Sequence, residues 1–220
     1  MTEIARPPRP ARRAVPEIEI EPLLDADVLE IRGGRLADTE LDLDQLGVRR
    51  AEIVEAELHG VRITGMAEVV VRDARLVGCD LSGCRLPVVL RSRIERCKLV
   101  GAALAETAWT DVVVADTALR LVDARSVTWS RLELVDSDLT ELDLARATLA
   151  DVTVEGSRLD RVRWAGVAAE RVDLRGAAEL ALVAVDRLDG CVIDPVQLTM
   201  IAPSLAVALG LGIVDDLEND

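Results

Sequence analysis

The sequence predicts an all-β solenoid: short strands coil around an apolar interior, and a C-terminal α-helical cap closes one end. Three observations carry this prediction. From Ile94 to Leu174 a large apolar residue recurs every five positions, with Trp109, Leu119, Trp129, Leu139 and Leu149 among its members. Two residues before each lies a second apolar or small residue, as in Cys97, Thr117, Ser137 and Ser157. Half of the 220 residues are hydrophobic, yet Phe and Tyr are absent and Trp occurs three times, so Leu, Val, Ile and Ala must build the core.

A period of five fits neither a lone helix at 3.6 nor a flat strand at 2. It fits a chain that turns a corner every five residues with positions i and i−2 pointing inward. Four such sides close a square coil of about 20 residues, and because no side buries its apolar pair alone, coils must stack. About thirty pentads make seven or eight coils, a rod about 35–40 Å long at ~4.8 Å between stacked strands.

The elements follow in order. Residues 1–16 carry Arg6, Arg9, Arg12 and Arg13 against Glu3 and read as a disordered Pro/Arg-rich arm. They hold no apolar run of the signal-peptide kind. Residues 17–194 form the repeat body, with 35 acids against 22 bases. Within it Val48, Ile53, Leu58 and Ile63 make one block, and Val71, Leu76, Leu81 and Leu86 another. Register slips fall at Gly65-Met66 and between Pro87 and Arg93, as bulges or as loops. A third slip near Gly176 precedes Val183, Leu188 and Ile193. Trp109 and Trp129 lie one coil apart and should stack, while Ala124 and Ala169 beside Trp129 and Trp164 offset the indole volume.

Residues 195–214 carry no charge. Asp194 as N-cap, Pro195 at N1 and Gln197 at N3 form a capping box. Pro203 interrupts the segment and Gly210 ends it, giving two short helices or one kinked helix over the open edge of the last coil. Leu198, Ile201, Leu205, Leu209 and Leu211 supply more apolar surface than one packed face needs, and they form a candidate dimer interface. The prolines, glycines and polar residues of this stretch argue against a membrane span. Residues 215–220 are an acidic tail.

The segments ARLVGCDLSGCRL (74–86) and SDLTELDLARATL (137–149) resemble the A-(D/N)-L-x-x signature of the pentapeptide repeat family, over residues from about 30 to 193. The resemblance implies a right-handed quadrilateral parallel β-helix. It also implies end-to-end homodimerisation through the C-terminal helical segment, as in members similar to mycobacterial gyrase-binding proteins. Two departures stand out: the central positions lack Phe, and Leu132 and Leu142 fill inward sites usually given to small residues, which predicts local widening.

Little in the sequence points to catalysis. His59 is the sole histidine and falls one position after an inward residue, on the predicted surface. Cys79, Cys84, Cys97 and Cys191 all fall at small inward positions, without the CxxC spacing of a zinc site. Gly78 to Gly83 imitates the glycine spacing of a phosphate-binding loop, but Cys84 and Arg85 replace its Lys-Ser/Thr. We therefore expect no catalytic, cofactor or metal site, and a cytoplasmic, non-enzymatic protein.

The net charge of −14 disfavours direct nucleic-acid binding. Twenty-residue spacing places Asp116 over Asp136 and Asp123 over Asp143, two lines of like charge that form a candidate DNA-mimicking surface. A third line, Arg91, Asp111, Arg131, Asp151 and Arg171, alternates in sign and reads as a salt-bridge ladder. The family resemblance implies DNA gyrase or topoisomerase IV as the target of such an acidic rod, with quinolone or toxin resistance as its outcome. The alternative is a scaffolding protein whose faces bind some other protein.

Overall fold

The computed structural model describes residues 27–211. The arm at 1–16 and the tail at 215–220 lie outside these residues. Fourteen strands precede one helix. They are β1 (Val28–Ala37), β2 (Glu40–Asp42), β3 (Arg50–His59), β4 (Arg62–Thr64), β5 (Glu68–Arg72), β6 (Arg75–Val77) and β7 (Val88–Glu95). There follow β8 (Ala108–Ala115), β9 (Thr128–Val135), β10 (Thr148–Glu155), β11 (Arg158–Arg163), β12 (Ala168–Gly176), β13 (Glu179–Val183), β14 (Cys191–Val192) and α1 (Pro195–Ala208). Every strand pairing is parallel, and the main sheet runs β1-β3-β5-β7-β8-β9-β10-β12-β14.

The corners explain the five-residue period. Glu106, Asp111, Asp116, Leu121, Ser126, Arg131, Asp136, Glu141, Arg146 and Asp151 all have positive φ between 46° and 60°. A left-handed residue every fifth position reverses the pleat, so the chain turns and the next i−2/i pair again faces inward. Each such residue outside Gly is strained. The coil holds it in place through hydrogen bonds to the coil above, such as Asp116 N–H to the Val135 carbonyl at 3.0 Å. The inward positions form one continuous core from Leu29 to Ile201, with all three indoles buried. Trp109 and Trp129 stack as expected, ring centres 6.2 Å apart at 37°.

Register resolves the slips. Val88 pairs with Ala108, Ala108 with Thr128, Thr128 with Thr148 and Thr148 with Ala168, so these coils are 20 residues long. Val28 pairs with Arg50, Arg50 with Glu68 and Val71 with Val89, giving one coil of 22 residues and then two of 18. The irregularities at 65–70 and 87–93 are thus shortened coils. Arg85 opposes Ala103 and Val88 opposes Ala108, so Leu86-Pro87 stands where the next coil spends Leu104 to Thr107, including the Glu106 corner.

Near Gly176 the register moves by one residue: Glu155 opposes Gly176, and Leu159 opposes Leu180. This corrects the expectation at Val183, which faces outward and is exposed, while Leu180 and Leu182 take the inward sites. Gly190 must be glycine: its φ is +79°, and a Cβ there would lie 2.0 Å from the Ala169 carbonyl oxygen. At Leu132 and Leu142, both buried, the 20-residue register continues unbroken.

One inward column carries a buried polar ladder that the apolar pattern conceals. Cys97 N–H donates to Thr117 Oγ1 at 3.2 Å, Thr117 N–H to Ser137 Oγ at 3.1 Å, and Ser137 N–H to Ser157 Oγ at 3.0 Å. Each hydroxyl then donates to the carbonyl two residues back, as Thr117 does to Ala115 at 2.8 Å. Inward polar groups at corners are satisfied this way instead of being orphaned. Cys79 N–H donates to Cys97 Sγ at 3.3 Å and completes the column downward.

Candidate functional site

The rod offers four faces and one capped end. The second face of each coil, carried by the later parts of β8, β9 and β10 and by the corners that follow them, displays Asp116, Glu133, Asp136 and Glu155. None of these four carboxylates has an ion-pair partner among the described residues, whose pairs lie elsewhere. Asp136 leans over the bare backbone of Gly156, where a Cβ would meet its Oδ1. Farther along the same face an open groove of about 660 Å³ is lined by Glu133, Thr153, Glu155, Asp173 and Arg175. The acid line from the sequence therefore exists at Asp116 and Asp136. Glu133 and Glu155 join it, and spacing by whole coils misses them because they sit on neighbouring columns of that face.

Asp123 and Asp143 oppose each other directly, as the spacing requires. Both have cationic neighbours. Arg125 grips Asp123 in a bidentate pair at 2.8 and 2.7 Å, and Arg163 lies 3.9 Å from Asp143. The Arg125 hydrogen bond, with the Arg125 backbone N–H and charge, holds the Asp123 carboxyl below its ordinary value despite partial burial. The local i, i+2 contact makes this face mixed in sign.

The alternating line does not run as a continuous ladder. It breaks into pairs: Arg91 with Asp73 at 2.6 Å, Arg131 with Asp111, and Arg171 with Asp151 at 2.5 Å. Arg91 reaches down to Asp73, not up to Asp111. Beside it Glu95 lies between Arg75, at 2.6 Å, and Arg93. Burial works to raise the Glu95 carboxyl, and the two guanidiniums outweigh it and hold it low. Asp73, Asp111 and Asp151 are likewise held low, each chiefly by its arginine hydrogen bond.

These depressed values set a pH dependence. A carboxyl whose folded pKa lies below its unfolded value contributes stability that is complete above the unfolded pKa and is lost as pH falls through the folded one. The melting temperature should therefore hold level down to pH 5 and fall progressively below about pH 4. A thermal series that stays level down to pH 2.5 would contradict this.

The cap is a single helix that runs through Pro203. The capping box is present, with Asp194 Oδ1 accepting from Gln197 N–H at 2.8 Å and Gln197 Oε1 from Asp194 N–H at 3.0 Å. Gln197 is buried, and its Nε2 donates to the carbonyls of Leu174, Arg175 and Ala177 at 2.7, 3.3 and 3.4 Å. Ser204 Oγ donates to the Leu182 carbonyl at 2.8 Å. This orientation divides the candidate dimer residues. Ile201 is buried at 1% exposure and Leu205 packs on the core, so neither is free for a partner. Leu198, Leu209 and Leu211 are exposed, and Val196, Met200 and Val207 join them.

His59 is half-buried and not simply on the surface, because it is stacked between Ala37 and Val77 in the neighbouring coils. Its Nε2 lies 3.5 Å from a Glu57 carboxylate oxygen and makes no hydrogen bond. Among the described residues no group of three His, Cys, Asp or Glu side chains is placed to hold a metal ion, and no helix is long and apolar enough to cross a membrane.

No family model and no curated protein matches the chain. Solved structures do. A trypsin-treated form of QnrB1, a plasmid-mediated fluoroquinolone resistance protein, is similar at 16% identity and a TM-score of 0.47, over 90% of this chain and 95% of that one. HetL, a pentapeptide repeat protein involved in heterocyst differentiation regulation from the cyanobacterium Nostoc, is similar at 18% identity and a TM-score of 0.38, over 74% and 89%. Rfr23, a pentapeptide repeat protein from the cyanobacterium Cyanothece, stands at 15% and 0.27, over 76% and 92%. Overlaps this loose leave the assignment to the molecule itself. A five-residue repeat, a left-handed corner at each fifth residue and parallel coils stacked in register make this chain a parallel β-solenoid with a period of five residues.

Proposed function

We propose that this is a non-enzymatic, cytoplasmic binding protein whose acidic second face occupies the DNA-binding groove of a type II topoisomerase. The observation that supports it is the set of unpaired carboxylates at Asp116, Glu133, Asp136 and Glu155. They span three coils, which at ~4.8 Å per coil is about one charge per 3 Å of axis, close to the ~3.4 Å of a single DNA strand. A fixed acidic face of this density attracts a basic groove over long range, and salt screens that attraction.

The reading includes an end-to-end homodimer. A helix apolar on every side needs cover on every side. The inner side of α1 rests on the last coil, while Val196, Leu198, Met200, Val207, Leu209 and Leu211 are uncovered. Light scattering at micromolar concentration should return twice the 23.8 kDa chain mass, and a monomer mass would refute the dimer.

The test of the partner is a gyrase supercoiling assay at several salt concentrations. The chain should inhibit at micromolar levels. A variant combining Asp116→Asn, Glu133→Gln, Asp136→Asn and Glu155→Gln should lose at least tenfold in potency. Asn tolerates left-handed corners, so the fold should persist. No inhibition at tens of micromolar would favour the scaffold reading, which the mixed-sign pairs Asp123–Arg125 and Arg120–Asp138 on the other faces support.

A further inference from the structure

We propose that Cys79 and Cys97 are a redox pair that closes into a disulfide across two neighbouring coils. The two residues occupy consecutive rungs of the buried polar column. Asp80 opposes Lys98 in parallel register, which brings the preceding cysteines to the same level on stacked strands. Parallel neighbours lie ~4.8 Å apart, inside the Cα separation that disulfides span. Cys97 Sγ already rests 3.3 Å from the Cys79 backbone nitrogen.

The column itself marks these rungs as different. Thr117, Ser137 and Ser157 fill theirs with hydroxyls that donate to carbonyls at 2.8 to 3.1 Å. Cys79 Sγ manages only 3.6 and 3.7 Å to the Leu58 and Val77 carbonyls, and Cys97 Sγ 3.3 Å to Glu95. A thiol in this column makes the weaker hydrogen bonds, and what it adds over a hydroxyl is oxidation chemistry. The step from Cys79 to Cys97 spans 18 residues, within the shortened coils. The contact between the two side chains lowers the Cys79 thiol and, with burial, raises Cys97.

With hydrogen peroxide as the oxidant the chemistry balances. The Cys79 thiolate attacks the peroxide O–O bond, forming a sulfenic acid and releasing hydroxide, which takes up the thiol's proton as water. Cys97 sulfur then attacks the Cys79 sulfur, the S–O bond breaks, and the hydroxyl leaves with the Cys97 proton as a second water. Two thiols are oxidised by two electrons and one peroxide is reduced. Cys84 sits one side further along the coil, and burial pushes its thiol up to about 11, so it serves as the internal control.

The test treats the full-length protein with hydrogen peroxide, blocks free thiols, and digests it with trypsin without reduction. Cleavage after Arg75, Arg85, Arg96 and Lys98 should leave the 76–85 peptide linked to the dipeptide Cys97-Lys98, with a loss of two hydrogens. The link should persist in Cys84→Ala and vanish in Cys97→Ser, a change that places in the rung the hydroxyl used by Ser137 and Ser157. Circular dichroism confirms that both variants are folded. Recovery of blocked, unlinked Cys97, a Cys79–Cys84 link, or a Cys97 link that disappears in Cys84→Ala would each overturn the pair.

Discussion

Trp129→Ala should cost about 3–5 kcal/mol of folding stability, the range for removing a large buried aromatic side chain. The indole is 1% exposed and stacks on Trp109 from the coil below. It also borders a small apolar void of about 10 Å³ shared with Leu134, Leu149, Leu159 and Trp164. Cavities are least costly where the surroundings can collapse into them. Here they cannot, because β9 is held in register to β8 below and β10 above along its whole length. At ~2–4 °C per kcal/mol for a chain of this size, the melting midpoint should fall by about 6–20 °C. Coils stack as nearest neighbours, so the transition should also broaden as the two halves of the rod uncouple. Thermal and urea unfolding followed by circular dichroism measure both effects. A loss below 1 kcal/mol would mean that the coil does close over the vacancy.

Gln197→Leu should be the second large effect, about 2–4 kcal/mol, for a different reason. The substitution conserves volume and adds apolar surface, so burial alone predicts little change or a gain. It removes the donor that serves the Leu174, Arg175 and Ala177 carbonyls and the acceptor for the Asp194 N–H. Buried backbone groups left without partners cost about 1–3 kcal/mol each. The loss should be local: α1 should exchange its amide protons faster while the amides of β8 to β10 stay protected. In the proposed dimer the same variant should shift mass toward the monomer, since the outer apolar face is presented only when the inner one is seated. Unchanged exchange in α1 would show that apolar packing through Ile201 and Leu205 suffices to hold the cap.

Much of the molecule was legible in the chain because a five-residue period is a local rule. Whichever coil Leu119, Leu139 or Leu159 belongs to, the corner before it and the corner after it point it inward, so burial follows from position alone. The capping box at Asp194 and Gln197 is equally local and could be read directly. The hydroxyl and thiol column was less visible. Ser and Thr at inward positions look merely small, and their partners come from a strand some 20 residues away.

What the period cannot encode is how one coil lies on the next. That is set by hydrogen bonds between coils and by how many residues each coil spends on its corners, so the 18-residue coils appeared in the sequence only as slips. The charges follow from the same fact. Asp116, Asp136, Asp123 and Asp143 look alike at 20-residue spacing, yet Arg125 and Arg163 lie beside the second pair, while among the described residues the first pair makes no ion pair. The cap shows the limit most plainly. Its helix is apolar all round, so no periodicity distinguishes the inward Ile201 from the outward Leu198. Only its seating on the last coil through Gln197 and Ser204 assigns the buried side, and leaves the other side for a partner.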